Sequence, residues 1–266
     1  RRQALADYLL RFTRHQEAIM RPEQVTYWNG RKVQLEVSDV FLEITGQTAL
    51  LLTIVNDVTD RNQAEARARV FAEMARQLSA ANTPRAAGEI IMAAAQKILG
   101  WDACFLSLYD AARNRIENVV LRDTIGGRVV DVPVPADYEV PSAVALDVLQ
   151  NGERLISRTP GRDEPANLTG FGDVARKSAS LLFAPICEGR RAVGVLSVQS
   201  YTADAYDAGS LATLRSLAEY CTGTLERLRA EENLRKREAQ FRSFIENASD
   251  LITVVNQAGV IRFQSP

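Results

Sequence analysis

The sequence predicts an α+β chain in which small antiparallel sheets are joined by long helices. Residues 32–44 and 49–58 alternate apolar and polar side chains, as half-buried strands do. Residues 60–81 and 208–248 instead repeat apolar side chains every three or four positions, the period of a helix with one buried stripe. Two strongly apolar runs, 179–187 and 192–200, are separated by the tight polar turn Glu188-Gly189-Arg190-Arg191, so they read as a hairpin.

In chain order, residues 1 to about 22 form a short amphipathic segment with Leu5, Tyr8, Leu9, Phe12 and Ile19 on its apolar side. Two strands follow, turning at Thr45-Gly46-Gln47. A lone hairpin cannot bury both of its faces, so it is expected to be the end of a larger sheet. Asp57-Val58-Thr59-Asp60-Arg61 then joins strand to helix. Asp57 and Thr59 can accept hydrogen bonds from the first free helical N–H groups, which would weld sheet and helix into one stiff unit. Asp57, Thr59, Asp60 and Arg61 are therefore the expected relay residues, in a mechanical rather than chemical role.

Along the helix, Ala64, Phe71 and Leu78 recur every seven residues, with Ala68, Met74 and Ala75 in the same stripe. That spacing suits a helix paired with its symmetry mate as well as one packed on its own domain. Thr83 caps the next helix, Pro84 takes its first position, and Gly100 closes it after a face of Ile90, Ile91, Ile98 and Leu99. Strands are expected at 101–109 and 115–122, with a weaker one at 129–134. A short helix at 142–150 ends at Asn151-Gly152, and a brief strand covers 154–157. Residues 158–177, rich in Gly, Pro, Asp and Thr, read as a lid or loop.

Asp207 is the expected N-cap of one long helix. Its seam of Leu211, Leu214, Ala218, Cys221, Leu225 and Leu228 has coiled-coil spacing. The register then breaks: Glu232 and Arg235 fall on the seam, while Leu234 and Phe241 lie off it. Residues 250–263 read as strand, turn at Asn256-Gln257-Ala258-Gly259, and strand.

The chain has 266 residues, room for roughly two domains, and its 46% hydrophobic content is enough for real cores. A net charge of -1 with interspersed signs gives no footprint for nucleic acid or an anionic membrane. No apolar run reaches bilayer-spanning length and no signal peptide is expected, so the reading is cytoplasmic. A chain that starts at Arg1 and stops at Pro266 in mid-pattern reads as a piece of a longer protein. His15 is the only histidine, which leaves no Ser-His-Asp triad and no His-based metal site. Cys104, Cys187 and Cys221 lie apart in apolar surroundings and read as buried reduced thiols rather than a redox pair or metal knuckle. Gly126-Gly127 lacks the Lys and following helix of a phosphate loop and reads as a turn.

Residues 57–61 resemble the D-I/V-T-E/D-R motif that ends PAS domains, and Val33 to Val58 resembles their last two strands. Residues 241–256 followed by 259–266 are similar to the opening of another PAS domain. Between them, Ser180-Leu-Leu-Phe-Ala-Pro-Ile, Val193-Gly-Val-Leu-Ser-Val-Gln-Ser and Tyr206-Asp before a Leu-rich helix resemble a GAF domain. The resemblance implies a PAS-GAF-PAS array: the end of one PAS domain over 1–59, a linker helix over 60–82, a GAF domain over 83–228 whose first helix can begin near 68, a linker helix over 229–240, and the start of a second PAS domain over 241–266. Such arrays sit in bacterial sensor histidine kinases and diguanylate cyclases. This one implies a cytoplasmic, non-enzymatic sensory and relay module, a homodimer through parallel helices, with its output domain beyond residue 266.

A GAF domain implies a mostly apolar pocket with a few polar anchors. Phe105, Ser107, Arg122, Phe171, Ser180 and Ser197 are the candidates, because they mix apolar walls with hydrogen-bonding groups on strands and lid. No cofactor is assigned. On alignment with haem PAS domains the axial His falls near Leu5, and Cys104 has no neighbouring His, so neither haem nor a covalent bilin is expected. The cyclic-nucleotide signature of GAF domains is absent as well. Two alternatives stay open. One is a thiol enzyme resembling GAF-type methionine sulfoxide reductases, which would need Cys104 and Cys187 to be neighbours across the sheet; the other is a ligand-free dimerisation scaffold.

Overall fold

The computed structural model describes residues 19–42, 50–133, 139–158, 171–173, 175–246 and 253–264. The expected segment before Ile19, the turn at Thr45-Gly46-Gln47 and most of the loop after Arg158 lie outside these residues. The chain divides into two compact units, residues 1–69 and 70–266.

In the first unit, β1 (Ile19–Thr26), β2 (Lys32–Leu42) and β3 (Leu50–Asp57) form an antiparallel sheet in that order. β1 is a correction, because an amphipathic segment was expected to continue to about residue 22. Its Pro22 is tolerable because, among the described residues, β1 has no strand on its other side to receive an N–H. Asp39 on β2 is buried between neighbours on the two flanking strands: Arg21 Nη1 donates to it at 2.7 Å and the Thr53 hydroxyl at 2.7 Å. Helix α1 (Thr59–Ala80) starts directly from β3, and its last turns belong to the second unit.

The second unit is built on a six-stranded antiparallel sheet. Its strands are β4 (Ala103–Asp110), β5 (Arg115–Ile125), β6 (Arg128–Asp131), β7 (Arg154–Ser157), β8 (Ser180–Glu188) and β9 (Arg191–Ser200), in the order β6-β5-β4-β9-β8-β7. The helices are α2 (Pro84–Ile98), α3 (Ala143–Asn151) and α4 (Ala208–Glu246). Thr83, Ser142 and Asp207 cap them by accepting the backbone N–H three residues on, at 3.1, 3.2 and 2.7 Å. A last hairpin, β10 (Thr253–Val255) and β11 (Ile261–Gln264), turns through Gly259 at φ 76°.

Both faces of the large sheet are covered. Cys104, Leu106, Val120, Leu182, Ala184, Leu196 and Val198 meet α1, α2 and α4 on one side. On the other, Phe105, Leu181, Phe183 and Val195 meet α3. The buried side of α2 is Ala87, Ile91, Met92, Ala94 and Ala95, smaller than the isoleucine face expected, which brings the helix close to the sheet; Gly88 approaches Val120 in the same way.

The seam expected on the last helix is spent inside the chain. Leu214, Ala218, Cys221 and Leu225, joined by Leu217, are buried in the core with α2 and β8. Met74 and Leu78 of α1 enter the same core, whereas Ala64 and Ala68 are exposed. Entering and leaving helices meet there: Phe71 stacks on Tyr220 at 5.6 Å, and Arg227 Nη2 donates to the carbonyls of Leu78 and Ala81 at 3.3 and 2.5 Å. A guanidinium on the last carbonyls of α1 satisfies groups that a helix end leaves unpaired. Beyond Arg229, α4 is helical through Glu246 and exposed wherever its side chains are described, with Leu234 58% and Phe241 66% exposed.

Candidate ligand pocket

The face of the sheet under α3 carries a cavity of about 70 Å³ lined by Phe105, Ser107, Asn118, Leu121, Ala145 and Phe171, among others. Alternation along β4 puts Phe105 and Ser107 on this face and Cys104 and Leu106 on the helical one. Phe105 stands edge-on to Phe171 at 5.9 Å and leans on Phe183 at 6.2 Å. The Ser107 hydroxyl donates to Asn118 Oδ1 at 2.7 Å. Among the described residues, no charged side chain lines the cavity.

Of the six residues expected in the pocket, Phe105, Ser107 and Phe171 line it. Ser197 is on the same face, between Phe105 and Phe183 in the strand ladder, but is fully buried beside the cavity rather than lining it. Arg122 and Ser180 are on the opposite face. Arg122 pairs with Asp131 at 2.8 Å and with Glu89 of α2 at 3.2 Å. A β-bulge causes this: Leu106 faces Val120 but Ser107 faces Asn118, so Val119 is the extra residue and the alternation of β5 reverses across it. Ser180 has Leu182's parity, not that of Leu181 and Phe183, and its buried hydroxyl has no partner among the described residues.

The sequence reading missed the group beside the pocket. Asp123 is fully buried and follows Leu121 on the pocket face. It accepts the Tyr201 hydroxyl at 2.6 Å and the Asp173 N–H at 2.6 Å. Burial and the hydrogen bond to this carboxylate push the Tyr201 phenol up. Arg176 lies over the Tyr201 ring at 4.1 Å, pairs with Asp173 at 2.7 Å and donates to the Thr124 carbonyl. These partners are 50 and 78 residues from Asp123 in the chain, so no local pattern could announce them.

The thiols do not converge. Cys104 is level with Leu182 of β8 through their shared partner Val198, and Cys187 lies five residues further along, roughly 16 Å at strand spacing. Burial pushes Cys104 and Cys221 up to about 12, and Cys187 in the same direction. The neighbouring thiol pair that a GAF-type reductase would need is therefore not formed. Among the described residues, no cluster of three His, Cys, Asp or Glu side chains could hold a metal, and no helix is long and apolar enough to cross a membrane.

At the sheet–helix junction, Asp57, Thr59, Asp60 and Arg61 come together, but not all as expected. Asp57 Oδ1 accepts both the backbone N–H of Thr59 at 3.0 Å and its hydroxyl at 2.6 Å. The Thr59 oxygen accepts Gln34 N–H from β2 at 2.8 Å, so it ties the helix to the sheet and does not cap it. Arg61 reaches Glu36 at 3.5 Å, and Asp60 is exposed in the first turn, where its charge favours the helix dipole.

The family model for the GAF domain matches residues 81–226, more than half of the chain. No curated protein matches the sequence. Among solved structures, the chain is similar to the free methionine-R-sulfoxide reductase of Neisseria meningitidis, solved with its substrate, at 14% identity over 64% of this chain and 93% of that one, with a TM-score of 0.50. It is also similar to the chromophore-binding domain of a bacteriophytochrome from R. palustris, at 14% identity over 86% and 80% of the two chains, TM-score 0.48. A GAF domain from a phosphoenolpyruvate-protein phosphotransferase of Coxiella burnetii matches at 16% identity over 64% and 98%, TM-score 0.46. At such an identity the first of these similarities speaks for the fold alone.

Proposed function

Since this chain belongs to the GAF domain family over residues 81–226, we propose that it is the sensory and relay part of a signalling protein, receiving a small ligand under α3 and passing the result along helices. The observation that carries this reading is the direct joint between α1 and α4, in which Arg227 closes the end of α1 while its own helix runs on to Glu246. A 39-residue helix is about 58 Å long. Its exposed last part is too polar to be stable alone, although ion pairs such as Lys236–Glu232 at 2.6 Å assist it. Leu234 and Phe241, seven residues apart and exposed, give it one apolar edge.

In this reading the edge meets the same edge of a second copy, and a ligand shifts the pair by no more than its preference for one arrangement over the other. The flanking segments 1–59 and 241–266 are the end of one PAS domain and the start of another, the protein is cytoplasmic, and a kinase or cyclase output lies elsewhere in the parent protein. Cysteine substitution tests the pairing. Leu234→Cys and Phe241→Cys should each give a disulfide-linked dimer on mild oxidation, whereas Ala239→Cys, on the opposite side of the helix, should not; equal cross-linking at all three sites, or none, would count against parallel pairing.

A further inference from the structure

The cavity under α3 is too small for a metabolite as it stands. About 70 Å³ is well short of the roughly 150 Å³ at which a dry apolar cavity admits benzene. What fills the remaining space is the ring of Phe171, set edge-on against Phe105. The ring is held there by the two residues after it. Gly172 adopts φ +72°, and a side chain at that position would lie 2.7 Å from Asp123 Cβ, so only glycine lets the chain approach this closely. Asp173 N–H then closes on the Asp123 carboxylate. Phe171 is thus a ring on a short strap, fastened at a buried acid.

The surroundings also restrict what could take its place. Among the described residues the lining offers no cation, and the same face carries the fully buried Asp123 two residues beyond Leu121. A phosphate or carboxylate entering here would lose its hydration, find no countercharge and face a like charge. A neutral ring loses nothing of the kind, and the Ser107 hydroxyl retains a lone pair for one donor.

We propose that the pocket takes an uncharged aromatic ligand bearing one hydroxyl or N–H, and that Phe171 occupies the ligand's place until it is displaced. The proposal rests on the reading of this face as the sensing site. With Phe171 cut back, the cavity gains the volume of a phenyl ring, toward the roughly 150 Å³ at which a dry apolar cavity admits benzene.

The test is titration of the whole chain, wild type and Phe171→Ala, with phenol and with benzoate, followed by heteronuclear NMR. Phenol should bind Phe171→Ala at least tenfold more tightly than wild type, with shifts centred on Phe105, Ser107 and Asn118, and benzoate should bind neither. If Phe171→Ala does not fold, Phe171→Leu is read in the same way, with an expected gain of at least threefold. Equal phenol affinity in wild type and variant would overturn the role of Phe171. Benzoate binding as tightly as phenol would overturn the ligand class and leave the sensing reading standing. A cooperatively folded variant that binds neither probe would overturn this proposal and the sensing reading together.

Discussion

The hydroxyl of Thr59 donates to Asp57 at 2.6 Å, and the same oxygen receives the Gln34 N–H at 2.8 Å. One buried side chain thereby ties the first residue of α1 to two strands of the sheet. Thr59→Val keeps the shape but leaves the Gln34 N–H without its partner, which should cost roughly 1–3 kcal/mol. Asp57→Ala removes the acceptor of the Thr59 N–H and hydroxyl and should destabilise the same junction. Because the two act through one contact, urea denaturation of the double variant should show less than the sum of the single losses.

Gly194 fixes how closely β9 can approach β4. A Cβ there would lie 2.5 Å from the Ser107 carbonyl oxygen, which is backbone and cannot swing aside. Gly194→Ala should therefore destabilise the domain by about 1–3 kcal/mol as the strands part. Thermal unfolding measures the loss, and an unchanged midpoint would contradict the packing described.

The thiols predict an alkaline limit to stability. Cys104 and Cys221 rise from an ordinary 9.0 to about 12 because burial disfavours the thiolate. A folded value above the unfolded one contributes stability that is complete below pH 9 and is lost as pH climbs from 9 toward 12. Between pH 8 and 11 the unfolding midpoint of wild type should fall more steeply than that of Cys221→Ala. A thiol reagent at pH 8 should modify half-buried Cys187 first and the other two only on unfolding; rapid labelling of Cys104 would contradict the core as placed.

Much of this architecture was legible in the sequence, for reasons that are local. Thr83, Ser142 and Asp207 are polar residues immediately before apolar periodicity, and each is found at a helix start. The hairpin of β8 and β9 was announced by its turn. Failures came where the determining contact was distant or the pattern was masked. Val119 reverses the alternation of β5, so Arg122 could not be placed from the strand's own sequence. β8 is covered on both faces, so Ser180-Leu181-Leu182-Phe183 shows no alternation from which to assign Ser180 a side. Heptad spacing in α4 fits a partner helix and a sheet equally well, and here β8 and α2 take the stripe. Asp123 lies just past the strand expected at 115–122, and only the fold brings Tyr201 and Asp173 to it.

Amide hydrogen exchange over residues 230–246 bears most directly on the proposed relay, because nothing else in the described chain covers this part of α4. Paired with a second copy, these amides should exchange much more slowly at high protein concentration than after dilution, while the buried amides around Leu214 to Leu225 stay protected at both. Fast exchange beyond Arg229 at every concentration would show a frayed, solitary helix, and a helix in that state cannot carry a signal out of the domain.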